Sequence, residues 1–291
     1  MTGLGEAVAH GAATIINAIA IGKGAAFGID LKTKAKVELT DEVGIVKGKI
    51  ISEPQESTVL IEKAVKLVLK HFGVEKKYGA RVETESNIPI AKGLKSSSVA
   101  SNALVLATTA ALGKKLDDKT LLNLSVEAAF QAGTTITGAF DDACASFFGN
   151  LVVTDNLKRR ILKKKKILGD YKVVLYIPTE KVYTVKSDVK KMKLIAPQVE
   201  LAFKEALKGN YWKALTLNGI LYSVALGYNP KPILDALECG AVAAGLSGKG
   251  PAIVAVTKTS NVDNILDVWK SYEGKILTAN INRKKAYIVK G

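Results

Sequence analysis

"PIAKGLKSSSVASNA", Pro89 to Ala103, joins an alternating, strand-like stretch to an uncharged run rich in alanine, and its reading decides the fold. A loop that leaves a strand and opens a helix presents unpaired backbone N–H groups and the positive end of the helix dipole, which makes it a natural seat for phosphate. Gly93 permits close backbone approach, Ser96, Ser97 and Ser98 offer hydroxyls, and Lys92 and Lys95 add positive charge. The same residues also fit a plain turn whose glycine bends the chain and whose serine caps the helix. No G-x-x-x-x-G-K-[ST] occurs anywhere, so a nucleotide held here is not held by a Walker-type loop.

Upstream, "KTKAKVEL" (Ala35, Val37, Leu39) and "GARVETESNI" (Ala80, Val82, Ile88) alternate as half-buried strands do. Between them "SEPQESTVLIEKAVKLVLKHFG" reads as an amphipathic helix, with Ser52 and Gln55 as a capping pair and Gly73 as its stop. Downstream, a helix is expected from Ser97 to Leu112, its small face (Ala100, Ala103, Ala107, Ala111) fitted for close packing on a sheet. The basic run "LKRRILKKKKILGD", Leu157 to Asp170, reads as a solvated helix or linker surface and places a domain boundary near Lys165, dividing the chain into 1–165 and 166–291. Beyond it, helical stretches (Ala196 to Lys208, Tyr211 to Leu226, Pro232 to Ala244) alternate with strand-like "YKVVLYIP", Ala252 to Val256 and Lys285 to Val289, an α+β pattern.

A chain of 291 residues with 48% hydrophobic content is long enough to fold two domains, each with a core. Two cysteines, Cys144 and Cys239, make neither a disulfide framework nor a metal-ligand spacing, and a reducing, cytoplasmic setting is expected. The apolar stretch up to Ile21 is broken by Asn17, and Ser96 to Gly113 carries too many Ser, Thr and Asn for a membrane span, so no membrane partner is expected. The net charge of +15 comes from lysine, since only Arg81, Arg159, Arg160 and Arg283 are arginines, and such a field attracts anions. With 6% aromatic residues and no basic-aromatic motif, the expected anion is a small phosphorylated metabolite rather than nucleic acid. His10 and His71 are too few and too isolated for a metal site or a triad. Nothing in the sequence sets an oligomeric state.

Three further stretches carry chemistry. "GLSGKGPA" (Gly245 to Ala252, with Ser247, Gly248 and Gly250) is a second glycine-rich loop, which is either a plain connection or the opposite wall of one site. "TGAFDDACAS" sets Asp141 and Asp142 among apolar residues, and a buried carboxylate needs a partner or a use. Lys23, isolated in "AIAIGKGAAFGID", would keep Asp141 ionised if the fold brought the two together. Glu127, in "LLNLSVEAAFQAG", reads either as a Mg²⁺ carboxylate or as an ordinary exposed glutamate.

"AIGKGAAFG", "PIAKGLKSSS" and "GLSGKGPA", in this order, resemble the three motifs of the GHMP kinases, the family of galactokinase and of the homoserine, mevalonate and phosphomevalonate kinases. In the family pattern P-x-x-x-G-L-G-S-S-A, Pro89, Gly93, Leu94, Ser96 and Ser97 match, while Lys95 stands for the third glycine. In the first motif Gly22, Lys23, Phe27 and Gly28 match, while Ile21 stands for proline and Ile29–Asp30 for Glu–His. The resemblance implies a GHMP kinase fold: an N-terminal domain like the second domain of ribosomal protein S5, and a C-terminal ferredoxin-like α+β domain. It implies ATP, its phosphates on Pro89, Ile90, Ala91, Lys92, Gly93, Leu94, Lys95, Ser96, Ser97, Ser98 and Val99 and its other wall at Gly245, Ser247, Gly248 and Gly250. It also implies Mg²⁺ on Ser97 and Glu127, and a catalytic Asp141 with Lys23 beside it.

The wider combination "GAATIINAIAIGKGAAFGIDL", "TGAFDDACAS" and "WKALTLNGILYSVALG" resembles one branch of that family, the archaeal-type shikimate kinases. That implies shikimate as the small-molecule substrate, phosphorylated at its 3-hydroxyl in aromatic amino-acid biosynthesis, with Asp30, Thr134 and Thr137 toward it. Two alternatives stand beside it. Homoserine kinase is the rival within the family, and it generally lacks an aspartate at position 141. A basic, non-catalytic RNA binder is the rival outside it, because S5-like domains occur in RNA-binding proteins.

Overall fold

Leu4–Ile16 (β1) and Lys23–Thr40 (β2) form a long antiparallel hairpin at the centre of a computed structural model that describes residues 3–179 and 189–291. From Asp30 onward β2 alternates, with Lys32, Lys34 and Lys36 in solvent and Ala35, Val37 and Leu39 buried. Its first part shows no such alternation, because residues 24–29 are covered on both faces, and a strand buried on both faces needs apolar residues at every position.

Gly79–Ser86 (β4) pairs with the second part of β2, and Val46–Ile50 (β3) runs parallel to β4 at the sheet edge. Leu151–Asp155 (β5) pairs with the first part of β2, and Arg160–Lys165 (β6) pairs with β5. The last strand, Tyr287–Lys290 (β11), returns to lie beside β1, so a segment from the end of the chain completes this seven-stranded sheet. The basic run is therefore not a helix or a linker. It forms the outer strand β6, where exposed lysines oppose pairing with another chain.

Val59–His71 (α1), Ser96–Ala111 (α2), Asp118–Gln131 (α3) and Phe140–Phe148 (α4) accompany this sheet, with α2 and α4 lying on β1 and β2. Helix α1 starts at Val59 behind Thr58, not at Ser52, because its buried stripe (Ile61, Ala64, Val65, Val68, Leu69) begins only there. Helix α2 is almost wholly buried, and two of its hydroxyls are satisfied within it: Thr108 and Thr109 donate to the Leu104 and Val105 carbonyls at 2.7 Å each. Among the described residues, no helix is long and apolar enough to cross a membrane.

The second sheet is built from Tyr171–Ile177 (β7), Ala243–Leu246 (β8), Ile253–Lys258 (β9) and Lys275–Asn280 (β10), all antiparallel in the order β10-β7-β9-β8. Between β7 and β8 come Val189–Leu194 (α5), Ala196–Lys208 (α6), Tyr211–Leu226 (α7) and Lys231–Glu238 (α8), and Val262–Trp269 (α9) follows β9. This is the ferredoxin-like βαββαβ order. The stretch expected to be helical to Ala244 stops at Glu238, and residues 243–246 form the buried strand β8.

Helix α7 joins the two sheets by packing on both β8 and β1. At β8 the approach is so close that a Cβ on Gly219 would sit 2.3 Å from the Gly245 Cα. Trp212 of α7 meets Phe27 of β2 edge to face, with ring centroids 5.5 Å apart.

Candidate active site

Residues 87–95 carry the chain from β4 to α2 and form one wall of a cleft of about 340 Å³. The N-cap of α2 is Lys95, no side chain caps the helix, and its first turn holds no acidic residue. The positive end of the dipole is therefore not answered from within the helix. Gly248, Lys249 and Gly250 form the facing wall.

The two loops are fastened to each other. Ser247 Oγ donates to the Gly93 carbonyl at 2.9 Å and accepts from Thr14 N at 3.3 Å, while Gly248 N donates to Thr14 Oγ1 at 2.9 Å. Asn17 Nδ2 donates to the Gly248 carbonyl at 2.7 Å, and Asn17 N donates to Asn218 Oδ1 on α7 at 3.1 Å. Gly93 has φ +80°, and a Cβ there would lie 2.2 Å from the Ser247 carbonyl oxygen, so only glycine allows this approach.

The first turn of α4 brings Asp141 and Asp142 to the third side of the cleft, and both are buried. Asn156 Nδ2 donates to Asp141 Oδ1 at 2.7 Å, and its own amide orientation is set by Thr154 Oγ1, which donates to Asn156 Oδ1 at 2.7 Å. Burial pushes the Asp141 carboxyl above its ordinary range, with the Lys95 charge and the Asn156 hydrogen bond pulling the other way. Asp142 is pushed up to about 7 by burial and by the neighbouring Asp141, against the pull of Lys95, whose Nζ lies 3.1 Å from Asp142 Oδ2. The other oxygen, Asp142 Oδ1, is buried and has no hydrogen-bond partner among the described residues. Lys249 is pushed down to about 8, by burial first and then by Lys95.

Of the residues singled out by the sequence, Ile90, Ala91, Gly93, Lys95, Ser96, Ser97, Ser98, Thr134, Thr137, Asp141, Gly248 and Gly250 line this one cleft. Others of the loop stand behind it. Leu94 and Val99 are core residues, and Lys92 Nζ donates to the carbonyls of Pro178 and Thr179 at 2.6 and 2.5 Å, tying the loop to the end of β7. Pro89 does not line the cleft, although Ser86 before it and Ile90 after it do. Ser247 fastens the loops from behind, and Gly245 serves the contact with α7.

Three expected residues lie elsewhere. Lys23 does not meet Asp141: its Nζ pairs with Glu200 of α6 at 3.2 Å and lies over the Phe203 ring. The reason is the period of a strand, which sends neighbours to opposite faces. It is Gly24 that faces α4, where a Cβ would lie 2.4 Å from Asp141 Oδ2.

Glu127 is held by Gln131 at 3.0 Å and Arg159 at 3.2 Å, which keep its carboxyl below the usual range, and it does not line the cleft. Asp30 accepts from the backbone and side-chain nitrogens of Asn280 at 2.8 and 2.7 Å, joining β2 to β10 outside the cleft. Among the described residues no group of three or more His, Cys, Asp or Glu side chains is arranged to hold a metal.

The structure brings Asp142 into the cleft beside Asp141 and adds Asn156, Asn17 and Lys249 to the site. Asn17 carried a signal, a lone amide in an apolar run. Asn156, in "TDN", reads as a turn residue and carried none.

Residues 59–150 match the GHMP kinases N terminal domain and residues 202–275 match the GHMP kinases C terminal domain. The chain belongs to the GHMP kinase family: it is a kinase and uses ATP. Among its relatives, a protein of Methanosarcina acetivorans named shikimate kinase is 48% identical, over 100% of this chain and 98% of that protein. One of Pyrococcus furiosus with the same name is 47% identical, over 96% of this chain and 99% of that one. Of solved structures, a homoserine kinase from Cytophaga hutchinsonii superposes with TM-score 0.78 at 17% identity, covering 99% of this chain and 98% of that one. The mevalonate kinase of Methanococcus jannaschii superposes with TM-score 0.74 at 16% identity, covering 95% and 98%. Likeness at that identity establishes the shared fold alone.

Proposed function

We propose that the chain transfers the γ-phosphoryl group of ATP to a ring hydroxyl of shikimate, giving shikimate 3-phosphate. The substrate rests on relatives of that name at 47–48% identity across nearly the whole chain. The observation that carries the mechanism is a buried carboxylate, Asp141, in one cleft with the uncapped N-terminus of α2 and a second glycine loop.

In this reading the phosphates lie against the backbone of residues 93–98, with Gly248 and Gly250 on the far side, while Pro89, Lys92, Leu94 and Val99 hold the loop in shape and Ser247 holds the two loops together. Thr134 and Thr137, which line the same cleft, face the ring hydroxyls. Asp141 accepts the proton of the attacking hydroxyl as its oxygen bonds to the γ-phosphorus and the bond to the bridging oxygen of ADP breaks. Burial makes the ionised Asp141 a stronger base than a solvated aspartate, and Asn156 keeps one of its oxygens fixed. Because phosphoryl transfer has a loose transition state, alignment and charge neutralisation supply most of the rate.

The Ser97 hydroxyl, a hard oxygen that lines the cleft, would hold Mg²⁺, and Glu127, taken up by Gln131 and Arg159, would not. Such an ion, when bound, neutralises charge on phosphate oxygens.

An ADP-release assay across shikimate, homoserine and mevalonate tests the reading. Turnover with shikimate alone is expected. Turnover with another alcohol and none with shikimate overturns the substrate.

A further inference from the structure

One lysine of the cleft is held there against two penalties. Lys95 has φ 67° and ψ 22°, a left-handed conformation disfavoured for any residue with a Cβ. Among the described residues five non-glycines have positive φ, and three of them, Ala91, Lys95 and Ala139, line this cleft, so backbone strain gathers at the proposed site of chemistry. The second penalty is burial, since the Lys95 side chain is only 11% exposed.

Its ammonium occupies the point where three walls meet. Lys95 itself belongs to the loop before α2, its Nζ is 3.1 Å from Asp142 on α4, and a Cβ on Gly248 of the facing loop would lie 2.9 Å from that Nζ. Lys23, by contrast, is on the other face of β2, paired with Glu200.

We propose that Lys95 is the lysine that neutralises the transferring phosphoryl group, and that Asp142 is a positioning residue that holds the Lys95 ammonium between the two loops. The proposal rests on the phosphotransfer reading above. An ammonium has three N–H donors, so Lys95 bound through one oxygen of Asp142 keeps two for phosphate oxygens. Asp142 also gives the ammonium a partner other than Asp141, which leaves Asp141 its charge for the hydroxyl proton.

Titration of ATP and of AMP by calorimetry in EDTA, without acceptor or metal, tests Lys95. In K95M the affinity for ATP is expected to fall by roughly 10- to 100-fold, the size of a lost charge-assisted contact, while AMP affinity is kept. K95G should lose as much although it relieves the left-handed strain, and K95R should retain the preference for ATP over AMP. Unchanged ATP affinity in K95M overturns the assignment.

If Lys95 served only to neutralise Asp142, the double variant K95M/D142N would bind ATP like the wild type; the proposal expects it to stay weak. For Asp142, D142N is expected to lower kcat about tenfold without raising the KM for ATP, as a misaimed lysine would; an unchanged kcat overturns the positioning role. Because the titrations contain no acceptor, they stand apart from the substrate reading, whose failure shows instead as wild-type enzyme that makes no shikimate phosphate.

Discussion

The two faces of the first part of β2 differ in kind. One face carries Gly24 and Gly28, residues without side chains, and so lets α4 come close enough to set Asp141 over the strand. The other carries Lys23 and Phe27, which pack against α6 and α7 through Glu200, Phe203 and Trp212. The first face makes room for chemistry, and the second holds the two sheets together. A motif read as a string mixes the two, although successive residues of a strand never share a face.

Substitutions on either face can break that division. The largest effect is expected from F27A, which removes a fully buried ring and its edge contact with Trp212. It should cost about 3–5 kcal/mol in urea unfolding, while the folded fraction keeps its turnover. Loss of turnover without loss of stability would place chemistry on the wrong face.

Next is G24A, whose methyl would have to stand 2.4 Å from Asp141 Oδ2 and must push the carboxylate aside. Steady-state turnover is expected to fall about 100-fold with ATP binding intact, the usual cost of displacing a reacting group by roughly 1 Å. Wild-type turnover in this variant would show that the position of Asp141 over Gly24 does not matter.

A smaller effect is expected from N156A, which removes the hydrogen bond to Asp141 Oδ1. That bond favours the ionised carboxylate and opposes the upward push of burial, so without it the Asp141 pKa climbs further. Since the ionised form is the one that takes the proton, the low-pH limb of kcat should move to higher pH, with a loss of about tenfold below it. A limb that moves to lower pH, or not at all, would contradict the assignment of Asp141.

The smallest effect is expected from K23M. The Lys23–Glu200 pair is partly exposed, with side chains 38% and 34% accessible, and such pairs contribute roughly 0–1 kcal/mol. Turnover should stay near wild type, and a collapse of kcat would return Lys23 to the catalytic centre.

Much of the architecture was legible because it obeys simple periods. The second part of β2 alternates, α6 keeps the helical repeat from Ala196 to Lys208, and Gly209 and Gly227 mark the ends of α6 and α7. What escaped was buried on both sides or settled by tertiary partners. The first part of β2 and β8 have no alternation to read, and so the face of Lys23 was hidden.

Glu127 reads locally as a metal carboxylate, and only the fold brings Arg159, 32 residues away, against it. The basic residues of β6 resembled a solvated helix because an edge strand tolerates the same exposed charge. Lys95 was visible as a departure from the family pattern, but its partner Asp142 is set by the meeting of α2 and α4 and by nothing local.

Single-turnover phosphoryl transfer to shikimate by D141N, measured beside its equilibrium affinity for ATP, tests the central assignment most directly. The expected result is ATP affinity close to wild type with transfer slowed about 10²- to 10⁴-fold, the range for a lost general base. Transfer at a near-normal rate with ATP bound would remove Asp141 from the mechanism.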